Sequence, residues 1–285
     1  MNIEKYSSLV LPENKRWENL TLANDFMFGK VFQDLDLCLE LVRLILPELD
    51  IERITRHEHQ KSAHETLDTK GVRFDVYLHD DKGRIIIVEM QVANNKNLPR
   101  RTRVYHSEAD LDAMDKNTPK LYKNMPETIL IFICAFDPFK RGRHIYTFRN
   151  ICVEERDLFL DDGASTIFLN TKGRDKDISQ ELKAFLDLLN GKSSDDDFVK
   201  RLERRLSYAK QNKYWRQEYL LTEFEWNEAK AESFEEGREE GIAIGEERGI
   251  LKASFDIAKS MLKAGFDSMQ ICALTKLSLD DLKKL

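Results

Sequence analysis

The stretch from Gly71 to Gln91, GVRFDVYLHDDKGRIIIVEMQ, constrains this chain more than any other. β-Branched and aromatic residues fill both arms, and Asp80-Asp81-Lys82-Gly83 supplies a turn between them, so the segment reads as an antiparallel hairpin. A hairpin centred on Lys82 opposes residues whose numbers sum to 164, which sets Asp75 against Glu89 and Arg73 against Gln91. Because side chains alternate, Asp75, Tyr77, Ile85, Ile87 and Glu89 share one face, while Phe74, Val76, Ile86, Val88 and Met90 line the other. Both faces are mostly apolar.

Directly opposed residues have Cβ atoms about 5 Å apart, and like charges there are destabilising. At an effective dielectric of 20 the repulsion between two carboxylates is roughly 3 kcal/mol, before desolvation. A divalent cation between Asp75 and Glu89 reverses that sign, and hard oxygen donors suit Mg²⁺ or Mn²⁺. Gln91 returns to the same face and can orient a metal-bound water. The bland alternative is a pair of unrelated, solvated carboxylates on a half-exposed sheet, which a one-residue slip in register produces.

Around this hairpin the pattern alternates helix and strand. Apolar spacing from Leu22 to Leu46 fits one or two helices; Ile51 to His59 fits a strand, and a helical pattern with Arg103, Tyr105 and Leu111 runs to about Tyr122. Thr128 to Phe136 is apolar on both faces, as in a central strand, with shorter strands at Ile145 to Phe148 and Thr166 to Leu169 and a helix at Ile178 to Leu189. Hydrophobic residues at 41%, with 16 Phe, suffice for a sizeable core in a chain of 285 residues. The polar run at Gly191 suggests two domains, 1–190 and 191–285, the second helical and charged. There Gly237, Gly241, Gly245 and Gly249 recur every fourth residue, each weakening a helix by about 1 kcal/mol against Ala. Short helices are expected to end at Gly265, to span Ser268 to Thr275, and to open at Ser278, forming a packing or oligomerisation module.

The wider set of motifs carries a resemblance. Asn24 to Phe32 (NDFMFGKVF), GVRFD ending at Asp75, VEMQ ending at Gln91, Asn97 to Tyr105 (NLPRRTRVY), Ile131 to Phe139 (IFICAFDPF), Tyr146 to Phe148, and Ile167 to Gly173 (IFLNTKG) resemble the Rpn family of recombination-promoting nucleases, the PD-(D/E)XK nuclease family transposases. The likeness covers essentially the whole chain. It implies an α/β restriction-endonuclease-like core, a mixed sheet flanked by helices, with a helical C-terminal extension. It also implies a Mg²⁺- or Mn²⁺-dependent endonuclease that cuts DNA and promotes recombination, in which Asp75 and Glu89 hold the metal and Gln91 takes the third motif position. Two departures stand out: Gln91 is neutral where superfamily members carry Lys, and Val104 stands where an aromatic residue is expected. The neutral Gln91 motivates a competing reading, a non-catalytic DNA-binding or recombination-associated protein on the same fold.

Several further residues have two readings. Asp25 is either a further site residue or an N-terminal charge complementing its helix dipole. Lys96, Arg100, Arg101 and Arg103 are either DNA-phosphate contacts or a solvated basic face. With a net charge of -6 there is no general basic field, so a nucleic-acid site must be local. His57, His59 and His64 lack further zinc ligands at useful spacing. The four cysteines show no paired spacing and read as core residues of a reducing compartment; with no apolar leader or span, a soluble cytoplasmic protein is expected.

Overall fold

Six strands form one mixed sheet in the computed structural model, which describes residues 11–63, 72–114, 121–283 and 285, without the side chains of 59–63 and 72–73. They are β1 (Ile54–Ala63), β2 (Val72–Asp80), β3 (Ile85–Gln91), β4 (Thr128–Cys134), β5 (Ile145–Phe148) and β6 (Ala164–Asn170), in the order β1-β2-β3-β4-β6-β5. The hairpin takes the register read from its turn: Val76 opposes Val88, Tyr77 Ile87, Leu78 Ile86 and His79 Ile85. Gly83, at φ +80°, closes the turn in a conformation that side chains disfavour. Asp80 fastens it, its Oδ1 accepting the N–H groups of Lys82 and Arg84 and its Oδ2 the Nε of Arg84 at 2.6 Å.

From β3 the chain crosses through α3 (Leu98–Ala113) to β4, which runs parallel to β3 and to β6 on its other side. Every residue of β4 is buried, as a strand covered on both faces requires. One face of the sheet packs Val76, Leu78, Ile86, Val88, Ile131 and Leu169 against α1 (Asp25–Val31), α2 (Leu35–Ile45), α4 (Gln180–Leu189) and α5 (Asp197–Gln211). Asn24 and Asp34 cap α1 and α2, which is why the apolar run from Leu22 breaks into two helices. The other face packs Tyr77, Ile87 and Phe132 against Leu98, Tyr105 and Ala109 of α3.

One expectation from strict alternation fails. Phe74 packs with Tyr77 and Tyr105, at ring-centroid distances of 5.4 and 5.3 Å, and so joins the face expected to exclude it. The regular β2–β3 ladder ends at Val76 and Val88, and beyond that point the strand is free to coil. The Arg73 and His59 side chains and all of His64 lie outside the described residues.

By contacts the described residues divide into two compact units, 11–219 and 220–285. The polar run at Gly191 connects α4 to α5, and both helices cover the same sheet face, so the division falls at the later position. A 51-residue helix, α6 (Lys213–Lys263), runs through it and includes the segment expected to be a separate short helix ending at Gly265. Gly237, Gly241, Gly245 and Gly249 lie on α6, exposed, and beyond the helix's own neighbouring backbone no described atom comes within 4 Å of where a Cβ would stand. In the second unit Ala258, Ile271, Leu277 and Leu282 form a small core joining the end of α6 to α7 (Ser268–Thr275) and α8 (Leu279–Leu282). No described helix is long and apolar enough to cross a membrane.

Candidate functional site

Where the β2–β3 ladder stops, side chains take over from the backbone. The N–H of Asp75 donates to Oε1 of Glu89 at 2.9 Å, and the N–H of Met90 donates to Oδ2 of Asp75, also at 2.9 Å. The two acids therefore lie side by side, each fastening the other's strand. Glu89 is buried, 4% exposed, and its Oε2 accepts the Tyr105 hydroxyl at 3.0 Å. Burial pushes the Glu89 carboxyl well above its ordinary range and the Asp75 charge pushes it further, while hydrogen bonds and Arg101 pull the other way.

Tyr105 and Arg101 come from α3, which starts just after β3 and carries Pro99 in its first turn. Four residues apart, the two share a helix face. Arg101 donates from Nη1 to Oε1 of Gln91 at 2.7 Å and from Nη2 to the Tyr105 hydroxyl. Its guanidinium lies 5.1 Å from the Tyr105 ring centre, 5.7 Å from that of Phe132, and 3.8 Å from Oε2 of Glu89. Gln91 donates its remaining amide group to the carbonyl of Ala93 at 2.8 Å. Burial and the Glu89 charge push the Tyr105 phenol up, so the hydroxyl stays a donor at neutral pH.

The structure thus brings Asp75, Glu89, Gln91 and Arg101 together, whereas Asp25, Arg100 and Arg103 are exposed. Asp25 is exposed in the first turn of α1 and accepts the N–H of Phe26. Arg100 and Arg103 are exposed on α3, as is Val104. Residue types alone left Tyr105 outside the expected site set; its four-residue spacing from Arg101 was the available signal. A cavity of about 510 Å³ lies at the opposite end of the strands, lined by Glu127, Arg149 and Asp162, away from the acids.

Among the described residues no group of three His, Cys, Asp or Glu side chains gathers as a metal cage. Two adjacent carboxylates, one of them buried and strained by the other's charge, still suit an ion that keeps several waters or phosphate oxygens, as Mg²⁺ does. The family model described as PD-(D/E)XK nuclease family transposase matches residues 22–221. The chain belongs to this family. No curated protein and no solved structure matches it. In this PD-(D/E)XK chain the match contains the whole sheet, both acids and α3, and ends near the start of α6, so the site described here lies wholly inside the family region.

Proposed function

We propose that the chain is a metal-dependent endonuclease that hydrolyses DNA phosphodiester bonds in the course of recombination. The observation that carries this reading is the pair formed by Asp75 and the buried Glu89, two acids fastened together where a sheet is expected to keep like charges apart. Asp75 and Glu89 hold the ion, and the Tyr105 hydroxyl fixes the orientation of Glu89. Bound Mg²⁺ or Mn²⁺ supplies Lewis acidity toward phosphate oxygen and lowers the pKa of water. Hydrolysis then adds water across one P–O bond, the hydroxyl to phosphorus and the proton to the released sugar oxygen. Arg100 and Arg103, exposed on α3, meet neighbouring phosphates of the strand.

Purified protein with Mg²⁺ or Mn²⁺ is expected to cut plasmid DNA, and Asp75→Ala and Glu89→Ala to abolish cutting; full activity in both variants defeats the assignment. A second reading, a DNA-binding protein without chemistry, is favoured by the neutral Gln91, whose amide oxygen and nitrogen are both engaged. Calorimetry separates the two: metal affinity no higher than that of Asp75→Ala supports the binder.

A further inference from the structure

Three arginines open α3, and they do different things. Arg100 and Arg103 extend into solvent, as groove contacts do, whereas Arg101 folds back with 30% of its side chain exposed. It lies over two aromatic rings and is gripped by an amide oxygen and a hydroxyl, so its guanidinium is fixed in place. Such immobilisation is unnecessary for a residue that only attracts a polyanion. At 3.8 Å from Oε2, the guanidinium stands beside Glu89 without hydrogen-bonding to it. A guanidinium has five N–H donors in a rigid plane, and two hydrogen bonds to the protein leave the others for a ligand. The one motif position where a cation belongs is neutral here, and its side chain holds Arg101.

We propose that Arg101 is a catalytic residue of this centre: clamped by Gln91 and Tyr105, its guanidinium contacts the scissile phosphate and supplies the positive charge that Gln91 cannot. Gln91 and Tyr105 are then positioning residues, and Arg101 leaves the group of groove contacts to which its neighbours belong. The assignment rests on the nuclease reading and deepens it by naming the cation that meets the charge developing on phosphate.

The test compares the full-length wild type, Arg101→Ala, Arg103→Ala, Arg101→Lys and the double variant Gln91→Lys/Arg101→Ala on plasmid DNA with Mg²⁺. Calorimetry measures Mg²⁺ binding to the DNA-free proteins. Arg101→Ala is expected to lower kcat roughly 100-fold or more while changing KM less than about 3-fold, the pattern of an interaction made in the transition state. Arg103→Ala is expected to raise KM with kcat nearly kept. Arg101→Lys should retain only part of the rate, since an ammonium cannot fill the fork between Gln91 and Tyr105. Adding Gln91→Lys to Arg101→Ala should recover at least about 10-fold in kcat, because the charge returns by the other route. Mg²⁺ affinity of Arg101→Ala should be equal to or tighter than that of wild type, with a nearby positive charge removed. A raised KM with normal kcat in Arg101→Ala, or loss of its Mg²⁺ binding, overturns the assignment and makes Arg101 a groove contact or a prop for Glu89. Should the alanine variant fail to fold, Arg101→Gln is read by the same criteria. A wild type that cuts nothing overturns the nuclease reading and this one together; a wild type that cuts alongside an equally fast Arg101→Ala overturns this one alone.

Discussion

Asp80 and Glu89 sit at opposite ends of one hairpin, both buried, at 2% and 4% exposure, and their surroundings could hardly differ more. Asp80 has its own counterion: Arg84 lies 2.6 Å away, and two backbone N–H groups fill its other oxygen. Glu89 faces another acid, and the Arg101 guanidinium stands 3.8 Å off, held by Gln91 and Tyr105. A buried charge with a counterion is part of the scaffold, since the fold itself makes it whole. At Glu89, by contrast, burial and the neighbouring Asp75 charge raise the carboxyl further than Tyr105, Arg101 and the backbone hydrogen bond lower it.

The contrast breaks first, and most visibly, on stability. Asp80→Ala strands the Arg84 cation, 11% exposed, and is expected to destabilise the first unit by about 3–5 kcal/mol in urea titrations. Glu89→Gln in EDTA is expected to melt no lower than wild type; losses of equal size would erase the distinction. Next in size is the response to metal. At a free Mg²⁺ concentration a hundred times its Kd, wild type should gain about 2.7 kcal/mol and Asp75→Ala nothing, read by thermal shift. The third comparison is in pH. Because the folded chain holds the Glu89 proton more tightly than the unfolded chain, this group's stabilisation is complete below about pH 4.5 and is lost as pH rises through the elevated folded value. Metal-free wild type should therefore fall behind Glu89→Gln as pH increases, and parallel melting curves for the two across that range would count against the shift. The smallest effect belongs to Tyr105→Phe. It removes one donor to Glu89 and is expected to remove about 1 kcal/mol, with Mg²⁺ affinity lowered slightly in calorimetry.

The hairpin's register was legible in the sequence, because a turn as defined as Asp80-Asp81-Lys82-Gly83 fixes which residues oppose along the ladder, whereas the Asp80–Arg84 pair was not read there. The all-apolar run from Thr128 announced the central strand for a similar reason: no half-wet strand can be apolar on both faces. What sequence could not give was the end of the ladder. Nothing in the residue types says that pairing stops after Val76 and Val88, so neither the turn of Phe74 onto the Tyr77 face nor the replacement of backbone bonds by carboxylates could be read. The inward fold of Arg101 was hidden too, since Arg100, Arg101 and Arg103 look alike until the ring faces of Tyr105 and Phe132 are placed beside one of them. The glycine-striped rod was expected to be marginal. It is a continuous helix with polar neighbours such as the Glu235–Arg238 pair, and its glycines touch nothing beyond the helix's own neighbouring backbone, so their small size has no packing role within the described residues.

The seam between the two strands beyond Val76 and Val88 is sewn by the carboxylates of Asp75 and Glu89. Any guest that draws those oxygens toward itself tugs on the amides of Asp75 and Met90, so occupancy at the mouth of the hairpin should be audible in how quickly those two amides trade hydrogen for deuterium. The turn end, clenched by Arg84, should stay silent throughout.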